Sequence, residues 1–478
     1  MTAQRRIFGI GATTLGLYAI NAWLCRALVR GTVSASWGMT GYVVDVLVLF
    51  ALYARVLTLC ARGDFESEKV RAWSLAIPCV LGALLVFTTP TLSEDIFSYM
   101  AHGALGTTPG DNPLLQPAED AAHTVVGDQL ARYGWHGPVG VTPYGIIWTQ
   151  IEIAAMKLSG GHVPAALIFL KAVVATMSAG TGWLIWTFLS QVRPGTQLYG
   201  TLAYLWNPMI VAEFAGEGHN DAVMIFGVVA ALACAVRRPT ASLVAQGFAV
   251  ATKYVPVLFV PAQLTFLWRH RTSSRGLALQ VAAALAVVGL TVALLYGPLW
   301  SGWHSLDGLL RRGEPISSAS PFGAINWVLR RSPWAALAAP LTVLLVTLPL
   351  LAFIAWISVR IHDVSDLARA FAYIAVAYSL FAAPDYWPWY ACMPVALLIV
   401  ADAKRFLWLV MLMSVTARLC APLDLLRSQG FLSMAEAKGM LTGLGTTLPL
   451  AALLVWVARN HSATPRQPAK RRQSGKRR

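Results

Sequence analysis

Apolar residues in this chain fall in long unbroken blocks, not in the alternation of half-buried strands or the stripes of soluble helices. Blocks of spanning or near-spanning length lie at about 8–25, 40–60, 72–88, 164–190, 197–214, 220–236, 276–298, 336–358, 367–383, 389–403, 405–420 and 438–457. A helix rises about 1.5 Å per residue, so roughly 20 residues cover a hydrocarbon layer of about 30 Å. The pattern predicts an all-α, polytopic integral membrane protein.

Two stretches need the basic residues to place them. The run at about 241–268 is flanked by Arg237-Arg238 and Arg269-His270-Arg271, and short basic loops favour the cytoplasm, so this run crosses an even number of times. Lys253-Tyr254-Val255-Pro256 marks the reversal between two half-length helices. The run from Tyr144 to Ser159 carries Gln150, Glu152 and Lys157 and is expected to lie in the interface without crossing. The expectation is then 13 to 14 transmembrane helices, by this order-of-magnitude count, with both termini cytoplasmic in the inner membrane. One membrane domain covers 1–460, with outward loops at 89–163 and 299–335 and short outward turns near 217 and 386, and 461–478 forms a disordered basic tail.

Composition agrees with this class: of 478 residues, 57% are hydrophobic and 12% charged, and the mean hydropathy is +0.59. The net charge of +15 sits in short loops and in the tail, so it reads as topology charge and not as a nucleic-acid surface. Six cysteines in separate apolar segments suggest neither a disulfide framework nor a metal cage. Arg5-Arg6 precede an apolar stretch with no small-residue cleavage site, which predicts an uncleaved first helix.

The chemistry lies where the apolar pattern breaks. The first outward loop opens Ser93-Glu94-Asp95-Ile96-Phe97-Ser98-Tyr99-Met100-Ala101-His102-Gly103. Wound as a helix, it places Asp95, Ser98, Tyr99 and His102 on one face, predicted to show its acids to solvent at the membrane surface. A carboxylate here can accept a hydroxyl proton; it is equally a capped helix start with acids at the positive end of the dipole. Trp135, Tyr144 and Trp148 in the same loop supply aromatic faces of the kind that bind sugars, or simply an interfacial belt.

Glu213 and Glu217-Gly218-His219-Asn220-Asp221 stand at a second outward turn, with Asn220 or Asp221 placed to cap the helix that follows. Glu217, His219 and Asp221 are of the types that ligate a divalent cation, although the spacing is not diagnostic. Lys253, a lone charge at a buried reversal, calls for an anionic partner such as a phosphate. Arg311-Arg312 and Arg330-Arg331 oppose the positive-inside bias and are candidate phosphate contacts or ordinary loop charge. Pro384-Asp385-Tyr386-Trp387-Pro388-Trp389-Tyr390 reads as an aromatic belt or as a platform for a sugar or polyprenyl group.

In order along the chain, Ser93 to Tyr99 with Gly103, Asn112-Pro113, Pro143-Tyr144-Gly145, Asn207-Pro208, Gly218 to Asp221, Lys253 with Pro256, and Pro388-Trp389-Tyr390 resemble the bacterial polyprenol-phosphate-mannose-dependent α-1,6-mannosyltransferases. Tyr144-Gly145-Ile146 departs from that family's Tyr-Gly-Pro pattern, whereas Thr252-Lys253 matches the Thr-Lys pair of related lipid-linked sugar transferases. The resemblance implies a C-type membrane glycosyltransferase that moves a hexose, mannose first among candidates, from polyprenyl phosphate to a glycan or glycolipid hydroxyl with inversion. It implies Asp95 as base, Glu94 as its partner or as an acceptor-positioning group, and Lys253 at the donor phosphate. Tyr99, His102, Tyr144, Glu217, His219, Asn220, Asp221, Arg311, Arg312, Trp389 and Tyr390 are the remaining candidates for substrate contact. No cofactor is required by these residues. Transfer of another lipid-linked sugar, or a secondary transporter or flippase, are the alternatives; the second is disfavoured by the lack of a second interrupted helix.

Overall fold

A computed structural model describes residues 2–123, 125–133, 135, 140–307 and 320–462. The chain is all-α. Its helices are α1 (Ala3–Val29), α2 (Ala35–Ala61), α3 (Glu68–Leu85), α4 (Asp95–Leu105), α5 (Val125–Arg132), α6 (Ile146–Leu158), α7 (Val163–Val192), α8 (Gln197–Leu205), α9 (Pro208–Val211) and α10 (Asp221–Cys234). They continue with α11 (Pro239–Thr252), α12 (Val260–Arg269), α13 (Ser274–Tyr296), α14 (Pro321–Arg330), α15 (Ala338–Ser358), α16 (Val364–Ala377), α17 (Cys392–Cys420), α18 (Leu423–Ser428), α19 (Met434–Met440) and α20 (Leu448–Ser462).

Among the described residues, seven helical stretches are long and apolar enough to cross a membrane: Ala3–Val29, Ala35–Ala61, Val163–Val192, Ser274–Leu299, Ala335–Ser358, Val364–Ala382 and Met434–Arg459. Each coincides with a block in the sequence. The other expected crossings are assembled from shorter or interrupted pieces, for identifiable reasons. Asn207-Pro208 ends α8 and restarts the chain as α9, the asparagine side chain capping Met209 N at 3.0 Å. Two of the expected blocks form the single element α17, broken at Asp402, whose φ of −174° and ψ of 92° are not helical. α11 has 14 residues and α12 has 10, with extended backbone at Lys253, so the reversal predicted there is present. α6 has 13 residues, or about 20 Å, which is short of a bilayer.

The layers are separated by burial. On α13, Leu279, Leu285, Leu290 and Leu294 are each more than 60% exposed, a surface suited only to lipid. By contrast α7, α10, α11 and the N-terminal half of α17 pack against one another or against α8 and α16, and almost every residue from Tyr199 to Met224 is buried. α4 is sealed by α6 on one side and by the 3₁₀ turn Ala118–His123 on the other. Gly103 is required for that contact, since a Cβ there would lie 2.3 Å from the Glu152 carbonyl oxygen. Ile96 through Leu105 are consequently all buried. The prediction of a surface helix with an open polar face is therefore corrected: Ser98, Tyr99 and His102 are inside, because α6 and the loop fold over that face. All six cysteines are free, and they are scattered as the spacing implied.

Candidate functional site

The site is built at the ends of α3, α4, α9, α10, α11 and α17. After α3 the chain runs through Thr88 and Pro90 to Asp95, the first residue of α4, with Glu94 at the N-cap. Two buried groups hold this segment. Lys171 of α7 donates to the carbonyls of Leu85 (2.7 Å) and Thr88, satisfying acceptors that the end of α3 leaves open. The Glu217 carboxylate accepts three backbone N–H bonds, from Thr91 (3.2 Å), Leu92 (3.1 Å) and Ser93 (3.2 Å). Gly218 follows with φ +85°, and a Cβ there would meet Ile96 Cδ1 at 2.4 Å, so glycine is needed for both backbone and space.

Beneath Asp95 lies a row of alternating charge. His219 is fully buried, its Nδ1 3.6 Å from Asp95 Oδ2 and its Nε2 3.3 Å from Glu213 Oε2, ion-pair separations that are not aligned as hydrogen bonds. Glu213 Oε1 in turn accepts from Arg418 Nη1 at 2.6 Å. A π-helical turn, Ala212–Gly216, carries Glu213; such one-residue expansions of a helix are frequent at functional sites. The His219 ring stacks on Trp389 with centroids 4.0 Å apart. Burial by itself works to lower the His219 pKa, but the two carboxylates outweigh it and lift it to about 9, so the imidazole is a cation at neutral pH. Only Asp95 in this row reaches solvent, with 32% of its side chain exposed.

A second ion pair stands at the reversal after α11. Lys253 Nζ lies 2.8 Å from Asp221 Oδ2, 5.1 Å from the Tyr390 ring centroid and 6.0 Å from that of Tyr144. The segment between α5 and α6 docks directly onto this reversal: Gly145 N donates to Thr252 O at 2.9 Å, and Tyr254 Oη donates to Tyr144 O at 3.3 Å. Gly145 has no room for a side chain, its Cβ position lying 2.1 Å from Ala251 O. The two ion pairs are joined through aromatics. Tyr99 donates to Asp95 Oδ2 at 3.5 Å and packs edge-on against Tyr144 (5.2 Å) and Trp148 (5.1 Å).

The structure thus gathers Asp95, Tyr99, Tyr144, His219, Asp221, Lys253, Trp389 and Tyr390. Glu94 lines a cleft of about 450 Å³ beside Asp95. Asn220 is buried next to His219, and its side chain does not cap α10. Glu217 is at the site but is occupied by the three backbone amides, which makes it a brace for the acid-bearing turn and not a substrate contact. His102 is buried with its Nε2 3.1 Å from the Gly140 carbonyl, and burial lowers its pKa to about 4, so it ties down the loop as a neutral ring. Arg311 and Arg312 lie outside the described residues. Arg330 and Arg331 bind their own helix, one on Asn326 Oδ1 at 2.7 Å and the other over the Trp327 ring at 3.8 Å. The divalent-cation grouping does not form, since Glu217, His219 and Asp221 each face a different partner, and among the described residues no three donors converge.

Glu213, Lys171 and Arg418 were not assigned to the site by sequence reasoning. The signal existed: Lys171 and Arg418 are ionisable residues inside otherwise apolar blocks, positions that are costly unless a partner is near.

Residues 7–269 match the family model described as "Alpha-(1->6)-mannopyranosyltransferase, N-terminal domain", and the chain belongs to that family. The chain is 25% identical over 298 residues to alpha-(1->6)-mannopyranosyltransferase A of Mycobacterium tuberculosis, covering 60% of this chain and 53% of that protein. It is 24% identical over 202 residues to the protein of the same name from Corynebacterium glutamicum, covering 42% of this chain and 38% of the relative. The chain therefore spans about half or less of the length of these relatives. No solved structure matches.

Proposed function

We propose, taking membership of that family as the premise, that this chain is a membrane mannosyltransferase using a polyprenyl-phosphate donor. The acceptor is a hydroxyl of a glycan or glycolipid on the outer side of the cytoplasmic membrane. The observation that carries this reading is the pairing of an open carboxylate, Asp95, with a nearly sealed ammonium, Lys253, across one layer of aromatic rings.

In this mechanism Asp95 accepts the proton of the acceptor hydroxyl as its oxygen attacks the anomeric carbon of a β-linked donor. The bond from that carbon to the phosphate oxygen breaks, and the electron pair leaves with the phosphate. Attack from the opposite side yields the α product. An ammonium has three donors, and Asp221 takes one, so Lys253 has capacity for the phosphate as its charge grows. The His219 cation faces Asp95 at 3.6 Å, and Glu213 and Arg418 balance that cation. An apolar cavity of about 680 Å³ among α15, α16, α17 and α20, reaching Phe381, provides room for the isoprenoid chain. Glu217 Oε2 is held by backbone amides and Asp221 Oδ2 by Lys253, and the two do not converge with His219 on one point, so the reaction is proposed to need no metal bridging them.

The test is transfer of radiolabelled mannose from a defined polyprenyl phosphate by the purified protein in detergent. Label must pass to a mannoside acceptor with α stereochemistry; retention of configuration, or no transfer under conditions where the protein is folded, refutes the reading. Orientation is read separately: a cysteine at Ser301 is expected to react with an impermeant thiol reagent from outside, and one at Ser474 is not.

A further inference from the structure

Between Asp95 and α18 lies the cleft of about 450 Å³, within the roughly 300–1,000 Å³ usual for small-molecule sites. One wall is Ser93, Glu94 and Asp95, and the other is α18, with Asp424 and Arg427. Arg427 makes a short pair with Asp424, 2.7 Å, and the two side chains remain 33% and 46% exposed. The floor is aromatic: Trp387 and Trp389 stack with centroids 5.2 Å apart and planes 9° from parallel, and Trp389 rests on His219. Past the Asp424–Arg427 pair, a smaller depression shares Trp387 and Leu441 and adds Asp385 and Lys438.

A sugar ring offers an apolar C–H face and a rim of hydroxyls. Flat aromatic walls take the first, and carboxylates and guanidinium groups take the second. Direction also matters. Backside displacement requires the nucleophile to approach from the side opposite the leaving phosphate. Asp95 lines this cleft and is linked through Tyr99 to Tyr144, which lies beside Lys253, so it connects the cleft to the proposed phosphate-binding pair.

From this arrangement we infer that the cleft between α4 and α18 is the acceptor site. It holds a neutral oligosaccharide chain, with Trp387, Asp424 and Arg427 setting its position and its continuation running over the ridge toward Lys438. This rests on the transferase reading above. Arg427 pairs with Asp424 and Trp387 stacks on Trp389, all lining the cleft, so these residues are expected to act on acceptor binding and not on the donor.

The experiment uses the full chain in detergent with radiolabelled mannosyl phosphopolyprenol and an alkyl α-1,6-linked dimannoside. Asp424→Asn, Arg427→Gln and Trp387→Ala are each expected to raise the acceptor KM about tenfold, as loss of one good contact does, while the donor KM stays within about twofold. Ser428→Trp fills the cleft from an exposed position, and it should raise the acceptor KM in the same way without disturbing the fold. An unchanged acceptor KM in Ser428→Trp and Arg427→Gln, or a donor KM that rises in parallel, overturns the assignment while leaving the transferase reading intact. A wild-type protein that transfers no label defeats both.

Discussion

The two ion pairs of the site differ in how far they open to solvent. In one, the carboxylate is open and the cation sealed: 32% of the Asp95 side chain is exposed against 1% for His219. In the other, both members are nearly closed, with Lys253 at 10% and Asp221 at 5%, and Lys253 faces aromatic rings. The contrast separates two kinds of work. An exposed carboxylate beside a buried cation can collect a proton from an arriving hydroxyl. An ammonium in a low-dielectric niche binds an anion strongly, because little water competes.

The contrast is broken most sharply at its open end. Asp95→Asn removes the base while preserving shape, and transfer is expected to fall by about 100- to 10,000-fold with donor binding retained, as single-turnover and binding measurements would show. Undiminished turnover in that variant would place the base elsewhere.

Arg418→Met attacks the buried row from below. It strands Glu213 inside the protein, which costs on the order of 3–5 kcal/mol and should appear as a clear drop in thermal unfolding temperature in detergent. The double variant with Glu213→Gln should recover much of that loss; if it does not, Arg418 matters for packing and not for charge.

At the sealed pair, Lys253→Gln keeps length and polarity but loses the cation. Hydrogen bonds to charged groups contribute roughly 1.5–3 kcal/mol, so donor kcat/KM is expected to fall about 10- to 100-fold; Asp221 is left buried without its cation, so the unfolding temperature falls too, and donor use is compared at a temperature where both proteins are folded. Equal donor use by this variant removes the phosphate role.

The smallest expected effect is in pH. His219 has a folded pKa of about 9, above the ordinary histidine value of about 6.5. Its pairing therefore stabilises the fold fully below the ordinary value, fades as pH rises through the window between the two, and is gone above the folded value. Transfer by the wild type should decline as pH passes about 9, and His219→Gln should be slower throughout and lack that limb. The facing groups are Asp95, Glu213 and, through Glu213, Arg418, so an alkaline decline that survives in His219→Gln belongs to another group.

Much of the frame was legible in the chain. The seven long spans and the reversal at Lys253 are written in local pattern, whereas the block at about 197–214 is interrupted at Asn207-Pro208. The site was legible in part. Asp95, His219, Asp221 and Lys253 stood out as charges where an apolar pattern stops, and the structure pairs Asp95 with His219 and Lys253 with Asp221. His102 and Glu217 stood out for the same reason, yet one ties a loop to Gly140 and the other braces a turn. Helical spacing placed His102 on a polar face but carried no information on what would cover that face.

What the sequence alone determined was therefore membership of the membrane class, the order of the helices and the places where charge interrupts them. These follow from the cost of exposing backbone and charge to hydrocarbon, a cost that each segment meets by itself. What only the tertiary structure decided was which charges meet. Glu213 and Arg418 are 205 positions apart, and Glu217 reaches a turn 124 to 126 positions earlier. Such pairings depend on how helices pack side by side, and the packing is set by shape complementarity among many residues, not by any local period.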